Sequence, residues 1–235
     1  MKHNLPNGRF DNRRELLQQF DQRRRRVNSQ IENTSTFGQQ AMNIVLRGMS
    51  AAFDLSKEDP AVRERYGKGS PKNYGDGAPR NPEHFLMARR LVEAGARVVS
   101  MNYSRWDWHG TADLFNFKRA KTDFPMLDKG LSALFTDLHS RGLDKDVAVV
   151  VWGEFGRTPR LNKLNSRDHW PRASFALMAG GGMRTGQVIG ATDREAGAPV
   201  ERPVKFQEVF ATLYHCIGLD PTNTTVRDHQ GRPHY

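Results

Sequence analysis

A single cysteine, Cys216, is all the thiol in this chain. It therefore forms neither an intrachain disulfide nor a thiolate zinc cluster. No apolar run approaches the ~20 residues that cross a bilayer as a helix, which excludes a membrane span. The opening Met1-Lys2-His3-Asn4-Leu5-Pro6 lacks the apolar stretch of a signal peptide. Few cysteines do not fix a compartment, because exported bacterial proteins often lack disulfides. No internal repeat is present. The one glycine run, Gly180-Gly181-Gly182, lacks the Lys-Ser/Thr ending of a phosphate-binding P-loop and reads as a tight turn.

Acidic residues are also in short supply. The net charge is +10, and residues 1–100 carry 18 Lys and Arg against 11 Asp and Glu. The basic excess is densest at Arg23-Arg24-Arg25-Arg26. Such a run suits nucleic acid or an anionic surface. No aromatic residues interleave with it to stack bases, so a solvated helix face is the better reading and nucleic acid an unlikely partner.

What is present is enough for one substantial core in 235 residues. Residues 1–95 read as mainly helical, and 96–235 as α/β, within one domain. Apolar spacing predicts helices over Asn12–Glu32 and Thr36–Met49, then short helical pieces at Asp54–Glu58 and Pro60–Tyr66. Gly67–Pro82 is rich in Gly, Pro, Asn and Lys and reads as an exposed loop, after which Pro82 opens a helix over Glu83–Ala94. Arg97–Tyr103 predicts a strand, Phe124–Arg141 a helix, and Asp146–Trp152 an almost wholly apolar strand, together a parallel crossover unit. Ser174–Met178 and Gln187–Ile189 are further strand candidates. Lys205–Ile217 closes the chain as a helix with Phe206, Val209, Phe210, Leu213 and Ile217 on its buried side.

Three segments carry chemistry: Trp106-Asp107-Trp108-His109-Gly110, Gly153-Glu154-Phe155-Gly156-Arg157-Thr158-Pro159, and Arg167-Asp168-His169-Trp170-Pro171. Each sets a carboxylate, with or without an imidazole, beside a Gly or Pro turn, and the first two follow apolar strand-like runs. Ligands in open α/β sheets sit beyond the carboxyl ends of strands. Oxygen and nitrogen donors gathered there suit divalent ions, with zinc, manganese, calcium and iron all admissible. Asp107 and His109, two apart, point to one side of an extended chain. Alternatives stay open: Asp107 as a turn cap, His109 as a hydrogen-bonded loop residue, Glu154 as a partner of Arg157. Asp168 either binds metal or orients His169 from behind, and His169 is a ligand or an acid/base group. Arg157 and Arg160 either clamp a substrate oxygen or are surface arginines. His139, His215, His229 and His234 read as structural or surface groups.

Taken together, Val150 through Arg160, Arg167 through Pro171, and Ala179-Gly180-Gly181-Gly182-Met183 with Gly186 through Asp193 closely resemble the domain-of-unknown-function family 1501 (DUF1501), a bacterial family abundant in planctomycetes. The resemblance runs from Asp11 to the carboxyl end and is most specific from Trp106 to Asp193. It implies the alkaline phosphatase and sulfatase superfamily, with a three-layer α/β/α sandwich and a metal site that hydrolyses phosphate or sulfate esters. A small anionic ester or a sulfated glycan would then be the substrate. Asp107, His109, Glu154 and His169 fit the ligand places, with Asp168 beside them and Arg157 on the transferred group. Glu154-Phe155 stands where relatives carry Asp-His, and Trp108 is bulkier than expected between two ligands. Members are about twice this long and often exported or periplasmic, so the chain resembles a carboxyl half, inactive by itself. A non-catalytic exported binding domain that keeps the fold is the alternative.

Overall fold

The computed structural model describes residue 38 and residues 49–75, 77–110 and 115–234. The helices expected over Asn12–Glu32 and Thr36–Met49, and the arginine run at 23–26, fall outside these residues, Gly38 and Met49 apart. The chain divides into two compact units, Met1–Asp54 and Leu55–Tyr235. The first contributes the short helix α1 (Ser50–Ala52) to the described residues. All that follows concerns the second.

This unit is mixed α/β, with helices α2 (Pro60–Tyr66), α3 (Glu83–Glu93), α4 (Asn116–Ser140) and α5 (Phe206–Cys216). Its strands are β1 (Ala148–Trp152), β2 (Gly156–Arg157), β3 (His169–Trp170), β4 (Ala176–Gly180), β5 (Ala191–Thr192), β6 (Pro199–Glu201), β7 (Val226–Arg227) and β8 (Pro233–His234). Local chemistry sets the helix ends. Asp59 accepts a hydrogen bond from the Ala61 amide at 2.8 Å, and Pro60 supplies the first-turn φ of α2. At the start of α5 the Glu208 carboxylate reaches back to the Lys205 amide at 2.8 Å.

The core is helical. Tyr66, Phe85, Leu86, Tyr103, Ala133, Leu134 and Leu138 form one buried cluster where α2, α3 and α4 meet. A buried ion network locks the same three helices. Asp137 receives the Tyr66 hydroxyl at 3.0 Å and pairs with Arg89 and Arg141, each at 3.0 Å. Arg89 also binds Glu58 and Glu93. A second buried carboxylate, Asp123, accepts from Arg80 at 2.9 Å and from Ser104 at 2.8 Å. These contacts explain why α4 begins eight residues before the expected Phe124. Asn116, Arg119 and Asp123 are buried along its first turns, so the helix runs through Pro125 although proline disfavours α-conformation before it.

The sheets depart from expectation. All pairing among the described residues is antiparallel and two-stranded: β1 with β4, β2 with β3, β5 with β6, and β7 with β8. Arg97–Tyr103 forms no ladder and is no strand, so the parallel crossover with β1 is absent. Instead this segment and β1 both line an open, largely apolar cleft of about 2530 Å³. The cleft also explains α5. Of the face predicted as buried, Phe210, Leu213 and Ile217 line this space, and Phe206, Phe210 and Ile217 are exposed. Gln187–Ile189 likewise carries no strand, which comes later at β5. Gly180-Gly181-Gly182 is the turn that ends β4, as its spacing implies.

Candidate metal centre

Asp123 fixes the position of the first site loop. Ser104, buried and held by Asp123, has φ 59°, an αL conformation uncommon outside glycine, and turns the chain sharply. The loop that follows stacks on itself. Trp106 and Trp108 lie 5.0 Å apart by ring centroid, and Trp106 packs on Phe124 of α4 at 5.7 Å. The indole of Trp108 is buried and donates to the Arg105 carbonyl. Its bulk therefore points into the protein and leaves Asp107 and His109 facing out. Gly110 ends the loop at φ 96°, and a Cβ there would lie 2.8 Å from Leu164 and Ser166 side-chain carbons. Only glycine satisfies both conditions.

The second support is the β2–β3 ribbon, whose register sets Arg157 opposite His169. Its connecting loop is knitted by Asn162, which accepts from the Leu164 and Ser166 amides and donates to the His109 carbonyl at 3.0 Å. Asn116 of α4 accepts from the Arg167 amide at 2.6 Å and so ties the ribbon to the helical layer.

Where the two supports meet, three donor atoms converge. Asp107 Oδ1 lies 2.7 Å from His109 Nε2 and 2.9 Å from His169 Nε2, and the two Nε2 atoms are 3.0 Å apart. On its other side, His109 Nδ1 faces Asp168 Oδ1 at 2.9 Å. A neutral imidazole carries one proton, and Asp168 draws it to Nδ1, which leaves a lone pair on Nε2. With Nε2 of both rings unprotonated the three atoms repel unless a cation lies between them, whereas a proton on His169 Nε2 lets that nitrogen donate to Asp107 Oδ1. A tetrahedral ion with bonds of 2.0–2.1 Å separates its ligands by about 3.4 Å, so an opening of about half an ångström would seat one. Both carboxyls are held below their ordinary range, Asp107 by contacts from His169 and His109, Asp168 by His109 and Asn162. Both are ready to bear negative charge next to a cation.

The structure thus brings together Asp107, His109 and His169, with Asp168 behind His109 rather than behind His169. Glu154 is exposed and lies outside this group, on the wall of the apolar cleft. Arg157 donates to the carbonyls of Trp106 and Trp108 and sits 4.0 Å from Asp107. Burial lowers its guanidinium pKa from the ordinary value. Arg160 faces a separate cavity. Phe155 packs against the His169 ring at 4.3 Å. Asn162 and Asn116 escape a sequence reading, because an Asn in a polar loop signals only a turn.

The family described as "Protein of unknown function (DUF1501)" matches residues 1–234, and the chain belongs to it. No curated protein and no solved structure matches the chain.

Proposed function

We propose that the chain carries the metal-site portion of a metal-dependent hydrolase of phosphate or sulfate esters, with the alkaline phosphatase and sulfatase architecture. The observation that supports this is the convergence of Asp107, His109 and His169, with the second nitrogen of His109 anchored by Asp168. Three protein ligands leave coordination positions open, the pattern of catalytic rather than structural zinc. The same two-His, one-carboxylate set suits manganese and iron; calcium, which takes oxygen ligands, fits less well. A divalent ion held there supplies Lewis acidity toward an ester oxygen. Asp107 and the two histidines hold it, Asp168 fixes the His109 tautomer, and Arg157 brings positive charge to the flank where a transferred group would gather negative charge.

The apolar cleft supports the companion reading, that this portion is completed by further polypeptide that covers β1 and Arg97–Tyr103 and brings the nucleophile. The packing of Phe155 on His169 favours a second function, a non-catalytic binding domain, because it fills one flank of the centre. Elemental analysis of the purified chain, dialysed without chelator, beside a His169→Ala version tests the metal site. Bound metal that falls in the variant supports it; equal content in both overturns it. Ester hydrolysis abolished by a chelator, assayed with the completing polypeptide, separates the hydrolase from the binding domain.

A further inference from the structure

Asp168 chooses the tautomer of His109, but its own surroundings do little to fix it. The side chain is half-exposed, so packing does not lock the carboxylate in one orientation. Among the described residues one side chain besides His109 donates to it. That is Asn162, whose Nδ2 lies 3.1 Å from Asp168 Oδ1, the same oxygen that faces His109 Nδ1. Asn162 Nδ2 also donates to the His109 carbonyl at 3.0 Å. One amide nitrogen thus holds both the backbone of His109 and the carboxylate that orients its ring.

The Asn162 amide is itself held from every side. Its Oδ1 accepts from the Leu164 and Ser166 amides at 2.9 and 3.1 Å, while its two N–H groups meet the His109 and Asp168 oxygens. Every donor and acceptor position of the side chain is therefore used. The partners also fix which end is oxygen. A flipped amide would set its NH2 against two N–H donors and its oxygen against two acceptors. Ser166 is fully buried, and its hydroxyl accepts from the amide of Asn116, the first residue of α4, at 3.2 Å. That amide is one of the helix-start donors that lack a partner within the helix. A chain of contacts thus runs from the start of α4 through Ser166 and Asn162 to Asp168 and the His109 ring.

We propose that Asn162 is a positioning residue of this centre. It holds Asp168 Oδ1 against His109 Nδ1, so that the ring keeps its proton there and turns the lone pair of Nε2 toward Asp107 and His169. This role rests on the metal-centre reading, but its first test needs no metal. Histidine 15N shifts of the metal-free chain report the tautomer at about pH 9, above the ordinary imidazole range. His109 is expected to carry its proton on Nδ1 in the parent and to lose that preference in Asn162→Ala and Asn162→Asp. The aspartate variant keeps an acceptor for the Leu164 and Ser166 amides and removes the donor, which separates orientation of Asp168 from stitching of the loop. The thermal midpoint serves as the folding control. A parent ring protonated on Nε2, or a tautomer unchanged in both folded variants, overturns the role. Zinc titration then asks whether Asn162 acts through Asp168. Asn162→Ala should weaken binding about tenfold in the parent and less than about twofold in an Asp168→Ala background. Equal losses in the two backgrounds overturn the role, since stitching of the loop alone would add to the loss of Asp168. A tautomer that moves in a chain taking up no zinc leaves the role of Asn162 standing and overturns the metal reading. Zinc uptake with an unmoved tautomer does the reverse.

Discussion

Asp168 and His109, 59 residues apart in sequence, face each other at 2.9 Å through Oδ1 and Nδ1, and that contact turns Nε2 of His109 toward Asp107 and His169. The carboxylate is largely exposed, so the pair adds little to folding. Its consequence is orientation: it chooses the tautomer and fixes the ring plane.

Asp168→Asn should therefore leave the thermal midpoint within about 2 °C of the parent, as expected for an exposed substitution. It should weaken metal affinity by about 10- to 100-fold, the usual cost of losing such an orienting partner. Calorimetric titration with zinc reads this directly; unchanged affinity would show that the His109 ring is fixed by other contacts.

Gly110→Ala should be far costlier than a methyl group suggests. It combines a backbone at φ 96° with side-chain carbons 2.8 Å from the new Cβ. A loss of about 1–3 kcal/mol in stability is expected, accompanied by weaker metal binding because the loop carrying Asp107 and His109 must shift. Denaturant unfolding and zinc titration on the same sample would show whether the two losses travel together.

Arg157→Ala removes the fork that grips the Trp106 and Trp108 carbonyls. Stability should fall by about 1–2 kcal/mol as those carbonyls lose a charged donor. Arg157→Lys should restore little, since an ammonium cannot serve two carbonyls in a fixed plane. Full recovery by lysine would reduce the role of Arg157 to charge alone.

Asp137 should dominate the acid limb of the stability profile. Burial pushes its carboxyl up, but hydrogen bonds from Arg141 and Tyr66 and the charge of Arg89 more than offset this and hold it below the ordinary 3.8. A carboxyl lowered in the folded state adds stability that is complete above its unfolded pKa and is lost as the pH falls through the folded value. Unfolding free energy measured from pH 6 down to pH 2.5 should thus drop steeply below about pH 4. Asp137→Asn should flatten that drop and cost about 1–3 kcal/mol at pH 7, because the bonds from Tyr66 and Arg141 weaken and Arg89 keeps only Glu58 and Glu93 as carboxylate partners.

Ile217→Gln should cost less than about 0.5 kcal/mol, and Phe210→Gln about 1 kcal/mol, because Phe210 also packs edge-on against Trp152 at 5.5 Å. Both side chains are already exposed to the open cleft. A hydrophobic dye should bind the parent chain and bind the double variant less. A loss of several kcal/mol would mean that the cleft is closed in solution.

The local elements were legible because local rules decide them. The apolar run of β1, the 3.6-residue spacing of α5, Pro82 before α3 and Asp59-Pro60 before α2 each carry their own signal. The acid and imidazole segments around Asp107 and His169 were visible for the same reason, since turn residues beside hard donors can be read within a few positions. Pairing was not legible. Arg97–Tyr103 has the composition of a strand, but a strand exists only where a neighbour offers its backbone, and none of the described residues does so. The buried face of α5 failed in the same way, for periodicity names the apolar side of a helix without stating what covers it. Nor could spacing reveal that Asp168 would serve His109 rather than its neighbour His169, or that Glu154 would fall outside the cluster. Those outcomes depend on where the β2–β3 ribbon meets the Trp106–Gly110 loop, and contacts from Asn116, Asp123 and Asn162, distant in sequence, set that meeting point. The sequence by itself determined which groups were available for the chemistry; tertiary structure alone decided which of them stand within 3.0 Å of one another, because that distance is fixed by packing between segments and not by propensity within any one of them.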